Sequence, residues 1–394
     1  MSAAKLIIPE IGFVLMKKES TAGSKESLAL ADVVYVEEFT FSYNADMIAR
    51  TPRSPSRQGV LSRAGKKRVE WTATTEFAMP DAFTIATDVP HPDTLLKAAG
   101  FRREDVSGAA YDAAFYVLQV SDHESVSFEG FTFTADGLSA NVIQGRGARA
   151  DFAITVNPDD GRLMLGLTGG RALEAATPAQ TYNNSDSQSR AVTYYGGEAN
   201  KPFLAHSMHA EIVNLLDDTV YGGGSVGSPG NNFQVVALTI NGAMAPTEQT
   251  GIAATSGVAR ERLAPTGPVT ASVSIEEILF GQTGAFHPLR LRDTETPLEF
   301  RLKSSQTDIS GNTNDLTINF FGQIVGAART SADGRVLWDL DIELRYPEDS
   351  ADGSPAVGVA PTQTFTYGPL GVSGLFVDAT LTLDGLLCVA FIKS

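Results

Sequence analysis

Cysteine is almost missing from this chain. Cys388 is the one such residue in 394, which excludes an intrachain disulfide framework and a multi-cysteine metal site. It fits assembly in a reducing cytoplasm. Tryptophan is nearly as scarce, with two copies, too few for the clustered exposed aromatics of a sugar-binding face. Long apolar runs are lacking, and no stretch approaches the length that spans a bilayer as helix. The apolar N-terminal segment is broken by Pro9 and Glu10, and no small-residue cleavage site follows it, so it does not read as a secretory signal. The expectation is a soluble protein made and used in cytoplasm. Positive charge is also short: 30 Lys and Arg stand against 46 Asp and Glu, a net −16. Such a balance argues against tight nucleic-acid binding, which draws its affinity from neutralised phosphates. It does not argue against contact with DNA, because a like-charged wall lets a polyanion slide without sticking. Solubility alone is the plainer reading of the charge.

The residues of familiar active sites are short of their patterns. Of five histidines, only His206 and His209 lie close. H-S-M-H lacks the glutamate and the i, i+4 spacing of a zinc-binding helix. The run G-G-G-S-V-G-S-P-G has no lysine and no following helix, so it does not cradle phosphate. G-L-S-A-N is not a nucleophile elbow, which needs glycine on both sides of the serine. The acidic pairs Glu37/Glu38, Asp159/Asp160, Asp217/Asp218 and Glu276/Glu277 would need to converge for glycosidase chemistry. Neighbours on a strand point to opposite faces, which makes turn and surface positions the better reading. No enzyme activity, cofactor or metal is expected.

What the chain does have is β structure. Apolar residues make up 43%, enough for a sizeable core. With 37 Gly and 19 Pro and a Val/Thr/Phe-rich texture, the expectation is many strands cut by turns. The organising stretch is Val33–Phe77, two strands joined by a long basic arm. In the second strand Val69, Trp71, Ala73, Thr75 and Phe77 alternate with Glu70, Thr72, Thr74 and Glu76, the mark of a half-buried strand. Between the strands, Arg50, Arg53, Arg57, Arg63, Lys66, Lys67 and Arg68 occur with no acid from Met47 onward. Two prolines and two glycines there argue against helix or regular strand.

The same construction recurs about 200 residues later. Leu238-Thr-Ile-Asn answers Phe39-Thr-Phe-Ser, a Pro/Gly-rich arm follows from Gly242 to Pro268, and V-T-A-S-V-S-I-E from Val269 answers V-E-W-T-A-T-T-E from Val69. Asp160-Gly161-Arg162 and Asp333-Gly334-Arg335 mark a matching hairpin turn in each half. A repeated unit of this kind predicts two related β domains.

Taken in order, residues 1–30 read as an N-terminal arm and 31–180 as a first β domain. Within it, P-D-T-L-L-K-A-A-G-F predicts a short helix, with Asp93 in its first turn and Gly100 at its stop. Residues 181–232 read as a linker or insertion with a short helix, because Met208, Ile212, Leu215 and Leu216 share one helical face; extra strands of the first domain are the other reading. Residues 233–349 form the second β domain. In it, F-H-P-L-R-L-R-D falls where the first unit has its helix, although Pro297 and an alternating pattern speak against helix there. Residues 350–394 are a C-terminal arm whose apolar end needs a partner surface, in its own chain or the next.

The order of these parts resembles the major tail tube protein of long-tailed, non-contractile (siphovirus-type) bacteriophages. The resemblance is carried by R-Q-G-V-L-S-R-A-G-K-K-R leading into V-E-W-T-A-T-T-E-F, then the P-D-T-L-L-K-A-A-G-F helix. It ends in F-T-F-T-A-D-G-L-S-A-N-V-I-Q-G-R-G-A-R-A-D-F-A-I-T-V and G-L-T-G-G. It covers most of residues 31–180 and, more weakly, 233–347. It implies a mainly β fold with two tandem tail-tube-like β-sandwich or barrel domains, each with a long hairpin arm and few short helices. It also implies a structural, self-assembling subunit of the virion tail, assembled in the host cytoplasm. The implied partners are the chain itself, the tape-measure protein and double-stranded DNA passing through the channel, with no membrane. A ring of three two-domain chains with pseudo-six-fold symmetry, or of six chains, is implied, with rings stacking through the basic arm. The length, the Gly169–Asn232 insertion and the C-terminal tail depart from the simplest members and leave the subunit number open. The channel-lining candidates are Glu70, Thr72, Thr74 and Glu76 from one half, and Thr270, Ser272, Ser274 and Glu276 from the other. Asp339, Asp341 and Glu343 either continue that lining or face outward. A tail-tip or baseplate hub of the same fold and a carbohydrate-binding or glycan-cleaving β protein are the alternatives.

Overall fold

Among the described residues strand dominates and α-helix is confined to two short pieces, as the alternating texture predicts. The computed structural model describes residues 7–48, 63–80, 89–107, 112–119, 123–134, 140–156, 160–174, 200–205, 208–217, 219–222, 233–249, 260–276, 286–307, 313–332, 334–345, 363–367, 379–383 and 386–393. In the first half, β1 (Ile7–Lys18), β2 (Val33–Val34), β3 (Glu38–Ile48), β4 (Arg63–Glu76) and β5 (Ala78–Pro80) precede helix α1 (Asp93–Ala98). After it come β6 (Phe101–Ser107), β7 (Asp112–Leu118), β8 (Val126–Thr134), β9 (Ala140–Val156) and β10 (Leu163–Glu174). Short β11 (Asn200–Pro202) pairs with β5. The second half opens with β12 (Met208–Asn214), β13 (Val220–Tyr221), β14 (Phe233–Asn241), β15 (Met244–Gln249), β16 (Arg260–Pro265) and β17 (Thr270–Glu276). Helix α2 (Pro288–Asp293) precedes β18 (Leu298–Thr307), β19 (Thr313–Ala332) and β20 (Arg335–Leu344). β21 (Gln363–Tyr367), β22 (Ala379–Leu383) and β23 (Leu387–Lys393) end the chain.

The internal repeat is a repeat of topology. In the first half the antiparallel order is β3-β4-β10-β9-β8-β1, and β1 meets β2 just before β3 begins. In the second half it is β14-β17-β20-β19-β18-β12, and β12 returns to β14. Register repeats as well as order. Phe39 and Phe41 lie opposite Ala73 and Trp71; Leu238 and Ile240 lie opposite Val273 and Ala271. The glycines of the two matching turns, Gly161 and Gly334, have φ of 73° and 76°, the left-handed conformation that favours glycine. Each half has a helix between its third and fourth repeated strands in chain order, β4 and β8 or β17 and β18, so α2 forms despite Pro297. Pro288 sits at its first positions and the His287 ring accepts a bond from Arg290 N at 3.2 Å, a sound helix start.

Helix α1 stops where expected. Gly100 has φ +92°, and a Cβ there would come within 2.9 Å of His123, so this turn excludes larger residues. Asp93 in its first turn is buried and accepts from the Tyr116 hydroxyl at 2.7 Å and Lys97 at 2.8 Å.

Several expectations are overturned. The segment around Met208 is strand β12 and no helix. It is paired with β13, β14 and β18 and nearly all buried, which lets β-branched Ile212 and Val213 pack on a sheet. Leu216, assigned to the apolar helical face, is 71% exposed. The stretch read as an N-terminal arm is, from Ile7, an integral strand along β8. The basic arm is more regular than its prolines and glycines imply. β3 and β4 stay paired out to Ile48 and Arg63, placing Arg63, Lys66, Lys67 and Arg68 on a ribbon, because those prolines and the first glycine fall beyond it. Arg50, Arg53 and Arg57 lie outside the described residues.

Among the described residues, two strand seams join the halves. β23 lies between β7 of the first half and β19 of the second, so the apolar C-terminal segment finds its partner surface in its own chain. At the other seam β9 pairs with β14: Ala153, Ile154 and Thr155 face Asn241, Ile240 and Thr239. One buried cluster runs through both halves, from Trp71, Phe128 and Phe152 to Ile240, Phe300 and Ile342.

Candidate functional site

The β9–β14 seam makes one continuous sheet of eight strands in the order β3-β4-β10-β9-β14-β17-β20-β19. Residues directly opposite in neighbouring strands share a face, so a row can be followed across the whole sheet. One row reads Glu38, Thr74, Gly166, Ala153, Asn241, Thr270, Glu343, Gln323. The adjacent row reads Thr75, Leu165, Ile154, Ile240, Ala271, Ile342, Ile324. The first is polar and the second belongs to the core, as period-two alternation requires.

The sheet therefore brings most of the sequence-predicted lining residues onto one face. Glu70, Thr270 and Ser272 are exposed, and Thr72, Thr74, Ser274 and Glu276 are half-buried. The acidic residues of β20 join them: Glu343, Asp341 and Asp339 lie opposite Thr270, Ser272 and Ser274. That row is therefore the direct continuation of the polar face of β17. Ser272 donates to Asp341 at 2.8 Å, Ser274 donates to Asp339, and Thr330 donates to the second oxygen of Asp339 at 2.8 Å. On the other half, Thr40 and Thr72 hydroxyls meet at 2.5 Å. Where β10 bulges at Thr168 and Gly169, this face opens into a groove of about 410 Å³, lined by Thr40, Ser42, Glu70, Thr72 and Arg171.

Glu76 departs from the expected wetted position. It is 7% exposed and is held by Arg162 at 2.7 Å. The same guanidinium meets Asp160 at 2.6 Å and also Glu37. The bond from Glu76, ahead of those from Asp160 and Glu37, raises the Arg162 pKa further above its already high range. In the second half the matching turn arginine, Arg335, sits 3.6 Å from the matching glutamate, Glu276. Both Asp-Gly-Arg turns thus place a cation beside the last acid of the strand that lines this face. The sequence marks the turns as equivalent, but not this pairing, which spans 86 residues in the first half.

The two arms lie differently. The second, β15–β16, turns at Ala243, whose φ is +50°, and packs on β9 and β10 of its own first half. Asp151 receives the turn: its Oδ1 accepts from Met244 N at 3.0 Å and Phe152 N at 2.9 Å. Burial raises its pKa, and those two bonds oppose the rise. Of the first arm, the described part is the paired ends of β3 and β4, out to Ile48 and Arg63. His209 is exposed on β12, and His206 is outside the described residues. Among the described residues no group of three or more His, Cys, Asp or Glu is placed to hold a metal ion. In comparisons with known proteins, no family model and no curated sequence matches the chain.

Proposed function

We propose that this chain is a structural subunit of a bacteriophage tail tube, whose copies join into stacked rings around a negatively charged channel that conducts double-stranded DNA. The observation that carries the reading is the eight-stranded sheet with one polar, acid-bearing face and an apolar back. Hydroxyls and carboxylates dominate this face and leave a transiting polyanion little to hold; Arg171, the cation in its groove, lies opposite Glu70 and donates to Pro246 O at 3.4 Å. Arg162 and Arg335 are each engaged by acids at the margin of the face. The sheet also ends in β3 and the last part of β19, and such edges ask for pairing or cover. A closed ring of copies provides both. The tape-measure protein would occupy the channel before DNA, and the basic arm with Arg50, Arg53 and Arg57 would reach the next ring. A sugar-binding role has less support, since both Trp71 and Trp338 are buried.

Negative-stain imaging of the purified protein tests this. Filaments with a central stain-filled channel are expected. Particles that stay single copies at the highest attainable concentration, or aggregates without a channel, would overturn it.

A further inference from the structure

The chain carries within itself a template for its contact with a second copy. Strand β14 uses one edge for β17 and offers the other, at Thr239–Asn241, to β9. Its counterpart β3 uses one edge for β4, and no second strand partners it among the described residues. By register with β4 and β17, Thr40, Phe41 and Ser42 are the counterparts of Thr239, Ile240 and Asn241. The receiving strand β9 likewise has a counterpart. Register across the matching turns places Ala328, Arg329 and Thr330 of β19 where β9 has Ala153, Ile154 and Thr155. At Ala328–Thr330, β19 pairs with β20 on one side, and all three residues are exposed. Among the described residues, then, no second strand pairs with β3 at Thr40–Ser42 or with β19 at Ala328–Thr330.

We infer that β3 of one copy pairs antiparallel with β19 of a second copy, in the register Thr40↔Thr330, Phe41↔Arg329, Ser42↔Ala328. This contact rests on the self-association proposed above and adds which strands meet and how they align.

Side-chain volume supports that register. In the internal seam the next position has Gly242, whose N–H donates to Phe152 O at 2.9 Å. A Cβ on Gly242 would come within 2.5 Å of the Phe152 ring, so small faces large. At the open edges the sizes are exchanged: Gly242 corresponds to Tyr43, and Phe152 to Ala327. Tyr43 is 48% exposed, and so is Val325 at 50%, one bulge away on β19. Apolar groups exposed on two sheet edges are unfavourable unless a partner covers them. The polar partner of the seam has also changed strands. Where the first half has Asp151 opposite Thr168, the second has Gly326 opposite Asp341. An Asp341 oxygen lies 2.8 Å from where a Gly326 Cβ would be. A carboxylate is therefore available beside both acceptor edges. Opposite Phe41, Arg329 lies across from Trp338 on β20, which places a guanidinium between aromatic rings. Such a head-to-tail contact uses two different surfaces, so it closes a ring when the rotation permits.

Cysteine pairs read the register. Opposed residues of antiparallel strands have Cα atoms about 4.5–5.5 Å apart, within disulfide range. Ser42→Cys/Ala328→Cys should give, on mild oxidation of assembled protein, a ladder of covalent multimers. Ser42→Cys/Thr330→Cys, two residues out of register, should give little. The size exchange supplies the second arm of the test, with folding of each variant checked by circular dichroism. Tyr43→Gly and Ala327→Phe should each raise the concentration needed for assembly about tenfold. Their combination recreates the internal Gly–Phe pair and should recover most of that loss. Channelled filaments without either crosslinking or rescue would overturn the strand pairing and leave the tube reading standing. Crosslinked, rescued oligomers without a channel would support the pairing and remove the tube reading. Single copies throughout would overturn both.

Discussion

His91 gives the clearest test at the scale of one residue. Its N–H donates to Ala78 O at 3.1 Å, tying the approach to α1 onto β5, and its ring lies 5.7 Å from that of Tyr35. The residue keeps some exposed surface, but both ring nitrogens are buried. Burial lowers its pKa to about 4, against the opposing effect of main-chain bonds at Tyr35 and Glu76. In the unfolded chain the value returns to about 6.5. Above that pH the ring is neutral in both states and the site is at full strength. As pH falls from about 6.5 towards 4, the unfolded chain takes a proton that the native ring refuses. The native state then loses stability through that window, by about 3 kcal/mol at its lower end. Urea midpoints measured across it should fall less steeply for His91→Gln than for the native chain. Identical slopes would refute this account. None of it is legible in V-P-H-P, where nothing local marks the histidine ring as buried. By contrast, Val69, Trp71 and Ala73 are buried as their alternation predicts, because period two is a local property. Partners far apart in sequence, such as Glu76 and Arg162, are set by which strands meet.

At the scale of elements, β23 is the piece that couples the halves. Leu387 to Ile392 are all at most 1% exposed, with β7 on one side and β19 on the other. Phe391 sits among Phe77, Tyr116 and Phe203, at ring distances of 6.1, 5.9 and 6.2 Å. Phe391→Ala removes the ring and leaves a cavity, a change that typically costs about 3–5 kcal/mol. A lower urea midpoint for both halves together is the expected result. Loss confined to the C-terminal strand would show that β23 is an accessory. Composition marks this segment as apolar and in need of a surface, but not which surface, since either half offers an edge. The same ambiguity misdirects the reading of Met208–Asn214. Met208, Ile212, Leu215 and Leu216 satisfy a helical stripe, while Met208, Ala210 and Ile212 equally satisfy a strand. Short apolar runs of this kind do not choose by periodicity; pairing with β18 decides it.

At the scale of the whole molecule, the proposed function rests on the sheet face that both halves build together. The two lining strands are legible separately, each from its own alternation. Their union is not, because it depends on β9 and β14 meeting over three residues. On the tube reading, the acids of this face keep DNA from resting on the wall. Glu70 is exposed in the groove of the first half, and Glu276 lies beside Arg335 in the second. Exchanging both for lysine turns two negative charges into two positive ones in every copy, repeated around each ring and along the tube. Glu276→Lys also sets two cations side by side, so each single variant is needed beside the double one. Neither side chain lies on β3's open edge or on β19, so assembly should proceed with tubes of normal length. DNA passage should slow, because each cationic ring now offers phosphates a site to neutralise, and raised salt should relieve the slowing as the charges are screened. Ejection by particles carrying the double variant, timed at low and high salt, measures this. A native rate at low salt would mean that these side chains do not face the DNA, and would remove the polar face from its proposed role even if tubes form.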